Sequence, residues 1–279
     1  MEQSTQFNVF YIRHATSYFN LFCAFQKHES GLDSTSEDME FLSKITDKFS
    51  PLLADPKLTS KGILQCSEAA PIYHELPIKC LFVSPLRRAL HTALLLFKDH
   101  PLRSKMKVIV HPLLTEVVGG SNEISIPLAE KRKEYEEQGF DFSLLDQYEH
   151  PDMYFIYNIN EPERTEVLNE VQRSSPAKSY VEVIANILKM RHISRPTRHR
   201  KLENYINLRK RAREFAQYTL KYSTDNGYNS GEVAAVSHET TIAHSLAVEF
   251  NYYSKAIYDP IDNCKHKVID INTLMNSTY

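Results

Sequence analysis

The sequence predicts an α/β fold built on a mostly parallel sheet, and two observations predict it. Short apolar runs at 7–12, 78–83, 108–110 and 233–236 read as buried strands, since each is too short for a helix and is bounded by polar turns. Helical patterns follow the second and fourth runs directly, and the middle of the chain is mostly helical. In such a sheet ligands gather just past the carboxyl ends of the strands, so the residues leaving each strand are the first place to look for chemistry.

The chain of 279 residues is long enough to bury a sizeable core, as one large domain or two small ones. Hydrophobic content of 42% and charged content of 24% are ordinary for a globular protein. A formal net charge of −2 argues against wholesale nucleic-acid binding. Cys23, Cys66, Cys80 and Cys264 are far apart and form no CxxC pair, so they are expected to be reduced and mostly buried, without a zinc site or disulfide framework. The start, MEQSTQ, is polar and acidic, unlike a secretory or mitochondrial leader. No apolar run approaches the ~18 residues needed to span a bilayer. The expectation is a cytoplasmic protein with no membrane span and no nucleic-acid partner.

The first strand ends abruptly in Arg13 and His14, then small and hydroxylated residues, then Asn20. The acidic stretch from Glu29 to Glu40 reads as a surface loop or short lid. Pro56 keeps Asp55 out of helix, and Thr59 or Ser60 caps the helix that carries Ile63, Leu64, Cys66 and Ala69. Gly62 inside that helix costs ~1 kcal/mol relative to Ala, which a tight approach to a neighbouring element would explain. The second strand runs into SPLRRALHTALLLF, where Ser84 is the expected N-cap and Pro85 the first helical residue. Arg87 and Arg88 then fall in a first turn whose dipole is already positive, and two cations there invite an anion. After the third strand, Glu116 sits between apolar residues just before Gly119 and Gly120. Burial would raise its pKa and fit it to act as an acid; the alternative is a solvated loop glutamate.

From Asn122 to Thr224 the pattern is mostly helical. Pro127 opens a solvent-facing helix that ends at Gly139, followed by an aromatic, irregular stretch. Helices are expected over Glu163–Gln172, Tyr180–Lys189 and Leu202–Tyr222, the last ended by Asn226 and Gly227. The basic cluster Arg191–Lys201 reads as a solvated connection, the alternative being a contact for an anionic partner or substrate tail. The fourth strand ends at His238, at the start of a helix whose free N–H groups suit an anion. His244, deeper in that helix, reads as structural, and KHKVIDIN as an edge strand.

Arg13, His14, Arg88 and His238 would repel one another at one point unless an anion sat among them, and a phosphoryl group is the anion that fits. No P-loop is present, and no carboxylate cluster suggests magnesium. Four segments resemble, in order, the motifs of the histidine phosphatase superfamily, the phosphoglycerate mutase-like fold. RHATSYFN resembles the RHG signature with its downstream Ser and Asn. DPKLTSKGILQC resembles the Asp…Leu-Thr…Gly…Gln segment, SPLRRALHTA the Arg-Ala…Thr-Ala motif, and VSHETTIA the second-histidine motif. A weaker match lies around Ser179. The resemblance spans nearly the whole chain.

The resemblance implies a three-layer α/β/α sandwich with a mostly parallel central sheet and a helical insert. It implies a single domain over 1–279, with a loop insert near 21–54 and the helical insert near 122–224. His14 would be the nucleophile and form a phosphohistidine. Arg13, Arg88 (rather than Arg87) and His238 would hold the phosphoryl oxygens. Glu116 would protonate the leaving oxygen and then activate water, and Ser17 and Asn20 would contact phosphate or substrate. No metal or organic cofactor is expected.

Four departures bear on the activity, one being the insertion between Asn20 and Asp55, longer than in compact members and expected to restrict substrate access. Ala15 stands where the family has glycine, and its methyl group is expected either to be tolerated or to crowd the pocket. Glu239 follows His238 and adds a negative charge, expected to weaken anion binding or to serve as a second acid. Val117, Val118, Gly119 and Gly120 stand where the mutases carry an Arg and a Tyr-Gly pair. The expected activity is therefore metal-independent phosphomonoester hydrolysis rather than a glycolytic mutase reaction. The alternative is a catalytically weak or inactive member serving as a binding or structural subunit, with protein partners. The phosphorylated substrate is left open among phosphoprotein, sugar phosphate and nucleotide-derived esters.

Overall fold

The computed structural model describes residues 6–28, 34–175, 177–194, 202–246 and 259–276, and within them the apolar runs become strands. β1 (Asn8–Arg13), β2 (Cys80–Val83), β3 (Lys107–Val110), β4 (Phe140–Asp141), β5 (Val233–Ser237) and β6 (His266–Asp270) form one six-stranded sheet, ordered β4-β3-β2-β5-β1-β6. All neighbours are parallel except β6, which closes the edge antiparallel to β1. The runs are continuous rather than alternating because helices cover both faces, and every residue of β2 and β5 is buried.

The helices are α1 (Tyr18–Gln26), α2 (Ser36–Ser43), α3 (Ser60–His74), α4 (Arg87–Phe97), α5 (Leu128–Tyr135), α6 (Glu161–Arg173), α7 (Tyr180–Ser194), α8 (Tyr205–Asn226), α9 (Glu239–Leu246) and α10 (Ile271–Asn276). Successive strand side chains point to opposite faces. Ile12, Leu81, Val83 and Val236 enter one core with Cys66 and Tyr73 of α3, Leu90 and Leu96 of α4, and Ile184 and Leu188 of α7. Val9, Tyr11, Phe82 and Val233 enter the other with Phe215 and Ala216 of α8 and Leu274 of α10. The fold is thus the three-layer α/β/α sandwich with a mostly parallel sheet. No helix of the described residues is long and apolar enough to cross a membrane.

Strand register sets the site. Arg13 pairs with Ser237 across β1 and β5, and Val83 with Val236 across β2 and β5. The residues that follow, His14, His238 and Ser84, therefore leave the sheet at one level.

Several local expectations shift. Ser84 does not cap α4. Its backbone N–H continues the ladder to the Val236 carbonyl at 3.0 Å, so the helix opens only at Arg87, with Leu86 at the N-cap. The edge strand β4 lies in the stretch read as irregular, where two residues pairing with β3 leave no periodic signal. α8 starts at Tyr205 because the Leu202 N–H is taken by the Val118 carbonyl and Asn204 caps the helix. Its end at Gly227 is as expected, with φ at +70° in the left-handed region that favours glycine. The acidic stretch holds α2, capped by Thr35, while residues 29–33 lie outside the described residues. Arg191 is not part of a solvated connection: it is buried on α7 and donates to Glu166 at 3.2 Å. Residues 195–201 of that basic cluster lie outside the described residues.

Candidate active site

His14 is fixed by its two ring nitrogens. Nδ1 lies 2.7 Å from the Ala15 carbonyl, which can only accept, so Nδ1 carries the proton. Nε2 then presents a lone pair, and the Arg88 Nε–H donates to it at 3.3 Å. Burial, with the nearby charges of Arg88 and Arg13, holds the His14 pKa well below the usual 6.5. The ring is therefore neutral at pH 7, in the tautomer a nucleophile needs.

His238 stands behind it, fully buried, with ring centroids 5.0 Å apart. Its Nε2 lies 2.8 Å from the Ser84 hydroxyl, and its buried Nδ1 has no hydrogen-bond partner in the protein. Burial, then Arg88 and His14, depresses its pKa well below 6.5 too.

Arg88 is buried in the first turn of α4 and donates Nη1–H to the Asn122 carbonyl at 2.7 Å. Burial lowers its pKa, and Glu123 opposes that most strongly. Thr92, one turn on, donates to the Arg88 carbonyl at 2.6 Å and accepts the Ala15 N–H at 3.0 Å, tying α4 to the chain just after His14. Arg87 turns away: its Nε donates to the Asp55 carbonyl at 2.6 Å and its backbone N–H to Asp55 Oδ1 at 2.7 Å. Asp55 Oδ2 meets Lys131 at 3.1 Å in a fully buried ion pair that seats the start of α4. Only one of the two first-turn arginines thus faces the site.

Arg13 donates Nη1–H to the Ile261 carbonyl and places Nη2 2.9 Å from Glu239 Oε2. Glu116 is not a solvated loop residue. It is half-buried, its Oε1 accepting the Val117 N–H at 2.8 Å and its Oε2 the Thr240 N–H of α9 at 3.1 Å. Ser17 is the N-cap of α1, and its N–H and hydroxyl both donate to Asn20 Oδ1, at 3.0 and 2.9 Å.

A cavity of about 280 Å³ brings these groups together, lined by Arg13, His14, Ser17, Asn20, Arg88, Glu116 and Glu239. His238 does not line it but backs His14. The cavity also takes in Lys48, Asn122, Glu123 and Thr240, which sequence reasoning missed. Ser84, the partner of His238, was also missed as a site residue; its Ser-Pro context signals a helix cap instead. Ala15 is fully buried in the core and is not among the residues that line the cavity. Among the described residues no cluster of His, Cys, Asp and Glu is arranged to hold a metal ion.

Residues 52–152 match the family model of the histidine phosphatase superfamily (branch 1). The likeness to that family is confined to this stretch. The stretch holds Asp55, the α3 cap, Arg88 and Glu116, while His14 and His238 lie outside it. Among solved structures the chain is similar to a putative alpha-ribazole-5'-P phosphatase from Escherichia coli, 16% identical over 96% of this chain and 92% of that one, TM-score 0.44. It is similar to a mycobacterial glucosyl-3-phosphoglycerate phosphatase complexed with VO3, 15% identical over 94% and 90%, TM-score 0.47. It is also similar to phosphoglycerate mutase from Bacillus anthracis, 15% identical over 94% and 88%, TM-score 0.48. No curated protein matches the chain.

Proposed function

We propose that this protein is a phosphomonoester hydrolase that works through a phosphohistidine at His14, with guanidinium groups and no metal carrying the phosphoryl charge. The observation that supports it most is the His14 tautomer: Nδ1–H is spent on the Ala15 carbonyl and Nε2 faces Arg88. In this reading the Nε2 lone pair attacks phosphorus and the ester P–O bond breaks. The leaving oxygen takes its proton from the Glu116 carboxyl group. Water then attacks phosphorus, the P–N bond breaks, and the water proton returns to Glu116. Arg13 and Arg88 hold the phosphoryl oxygens and His238 supports His14 from behind, so catalysis is mostly positioning and electrostatic stabilisation. Ser17 and Asn20 contact the phosphate or the ester from the α1 side. The whole chain is taken as one domain, with the segments near 21–54 and 122–224 as inserts that supply Lys48, Asn122 and Glu123 to the cavity wall.

The wall favours a phosphatase over a mutase. Val117, Gly119 and Gly120 bring no cation to hold a substrate carboxylate, and the three carboxylates Glu116, Glu123 and Glu239 outweigh Lys48 on that wall. Turnover of 3-phosphoglycerate is expected to be negligible. The deciding experiment is hydrolysis of a generic aryl phosphate by the wild type and by His14→Ala. The variant is expected to lose at least ~10³-fold in kcat, because the nucleophile is gone. Equal activity in both would leave only a binding or structural role for the fold.

A further inference from the structure

Glu116 sits on the segment from Leu113 to Val118, and a buried ion pair grips that segment without lining the active cavity. Arg211, on α8, donates Nη1–H to the Leu113 carbonyl at 2.6 Å and the Thr115 carbonyl at 2.7 Å. The rest of its guanidinium forks onto Glu203, Nε to Oε1 and Nη2 to Oε2, each at 3.0 Å. The side chains are 4% and 0% exposed. On the far side of Glu116, the backbone N–H of Leu202, next to Glu203, donates to the Val118 carbonyl at 3.0 Å. Arg211 thus holds the loop on one flank of the carboxylate, and the backbone next to its partner Glu203 holds the other.

A buried ion pair is not an efficient source of stability, because desolvation offsets its Coulomb energy and apolar residues of similar volume do as well. A planar fork that satisfies two carbonyls and one carboxylate at once supplies geometry that an apolar pair cannot. We propose that Arg211 and Glu203 are positioning residues that set Glu116 at the distance where it passes a proton to the leaving oxygen. This rests on Glu116 acting as the acid in the proposed phosphatase.

The test compares kcat/KM, which reports the chemistry up to departure of the first alcohol, on two esters. The para-nitrophenolate of para-nitrophenyl phosphate leaves without a proton; the alkoxide of β-glycerophosphate needs one. Arg211→Lys keeps the charge but loses the fork, and Glu203→Gln keeps the shape but loses the charge. Both are expected to fall about 10- to 100-fold on β-glycerophosphate, part of the ~10²–10⁴ a positioned acid supplies, and less than about 3-fold on para-nitrophenyl phosphate. Glu116→Gln should show the same split, and adding Arg211→Lys to it should cost little more. Equal losses on both esters, an unfolded variant included, or full additivity with Glu116→Gln would overturn the proposal. A wild type silent on both esters would instead refute the phosphatase reading itself.

Discussion

Arg13 reaches the cavity already occupied, one arm on the Ile261 carbonyl and the other 2.9 Å from Glu239. An arriving phosphoryl group must share that guanidinium with a carboxylate and meet the carboxylate's own charge. The pair is partly solvated, so its strength is modest, about 1 kcal/mol. Glu239→Gln should therefore tighten inorganic phosphate, measured as a competitive inhibitor, by about 3- to 10-fold, the span of roughly 0.7–1.4 kcal/mol. A weaker inhibition constant would show instead that Glu239 matters for aiming Arg13. Glu239 stood out in the sequence as a departure from the family motif, but its partner did not. The two are brought together only by the register of β1 on β5, which no local pattern encodes.

At the scale of elements, α3 is seated directly on the chain that leaves β1. The Thr59 N–H and hydroxyl both donate to the Thr16 carbonyl, at 3.0 and 3.2 Å. A Cβ added at Gly62 would lie 2.2 Å from that same oxygen. Helix propensity alone would make Gly62→Ala stabilising by ~1 kcal/mol. The clash is with backbone, which cannot rotate aside, so the expected result is a net loss of about 1–3 kcal/mol in denaturant unfolding. Because Thr16 lies two residues after His14, kcat on an aryl phosphate should drop as well. A variant more stable than wild type would mean that α3 can shift without cost. What the sequence revealed and what it hid divide along the same line. The strand tips were legible because an apolar run ending in Arg-His or Ser-His is a local signal, and Gly62 because glycine is out of place in a helix. Lys48, Glu123 and the Arg211–Glu203 pair were not, since their roles exist only in long-range contacts. Ser84 carried a signal, but Ser-Pro after a strand fits a helix cap as well as a partner for His238.

Across the whole molecule, the buried imidazoles couple stability to pH. Burial, aided by neighbouring cations, holds His14 and His238 well below 6.5, and burial alone lowers His111 to about 3. In the unfolded chain each returns to the ordinary value, so below pH 6.5 the unfolded state binds more protons than the native one. The stability these groups contribute is complete above 6.5 and is lost as pH falls from there towards the depressed native values. At 1.36 kcal/mol per unit, each imidazole can withdraw up to about 2 kcal/mol by pH 5, and three together up to about 6. Set against a total of roughly 5–15 kcal/mol, that is a large share. The melting temperature should drop steeply between pH 7 and pH 5. Replacing His111, which is packed between Phe82, Phe215 and Tyr218, with Phe should make the drop shallower. Sulfate, whose charge is constant over that range, should recover more of the melting temperature at pH 5 than at pH 7. An anion in the cavity beside His14 favours its protonated form, and a His14→Ala variant lacks that gain. A melting temperature that stays level from pH 7 to pH 5 would mean that these rings are charged in the native state, and a charged His14 has no lone pair to attack phosphorus.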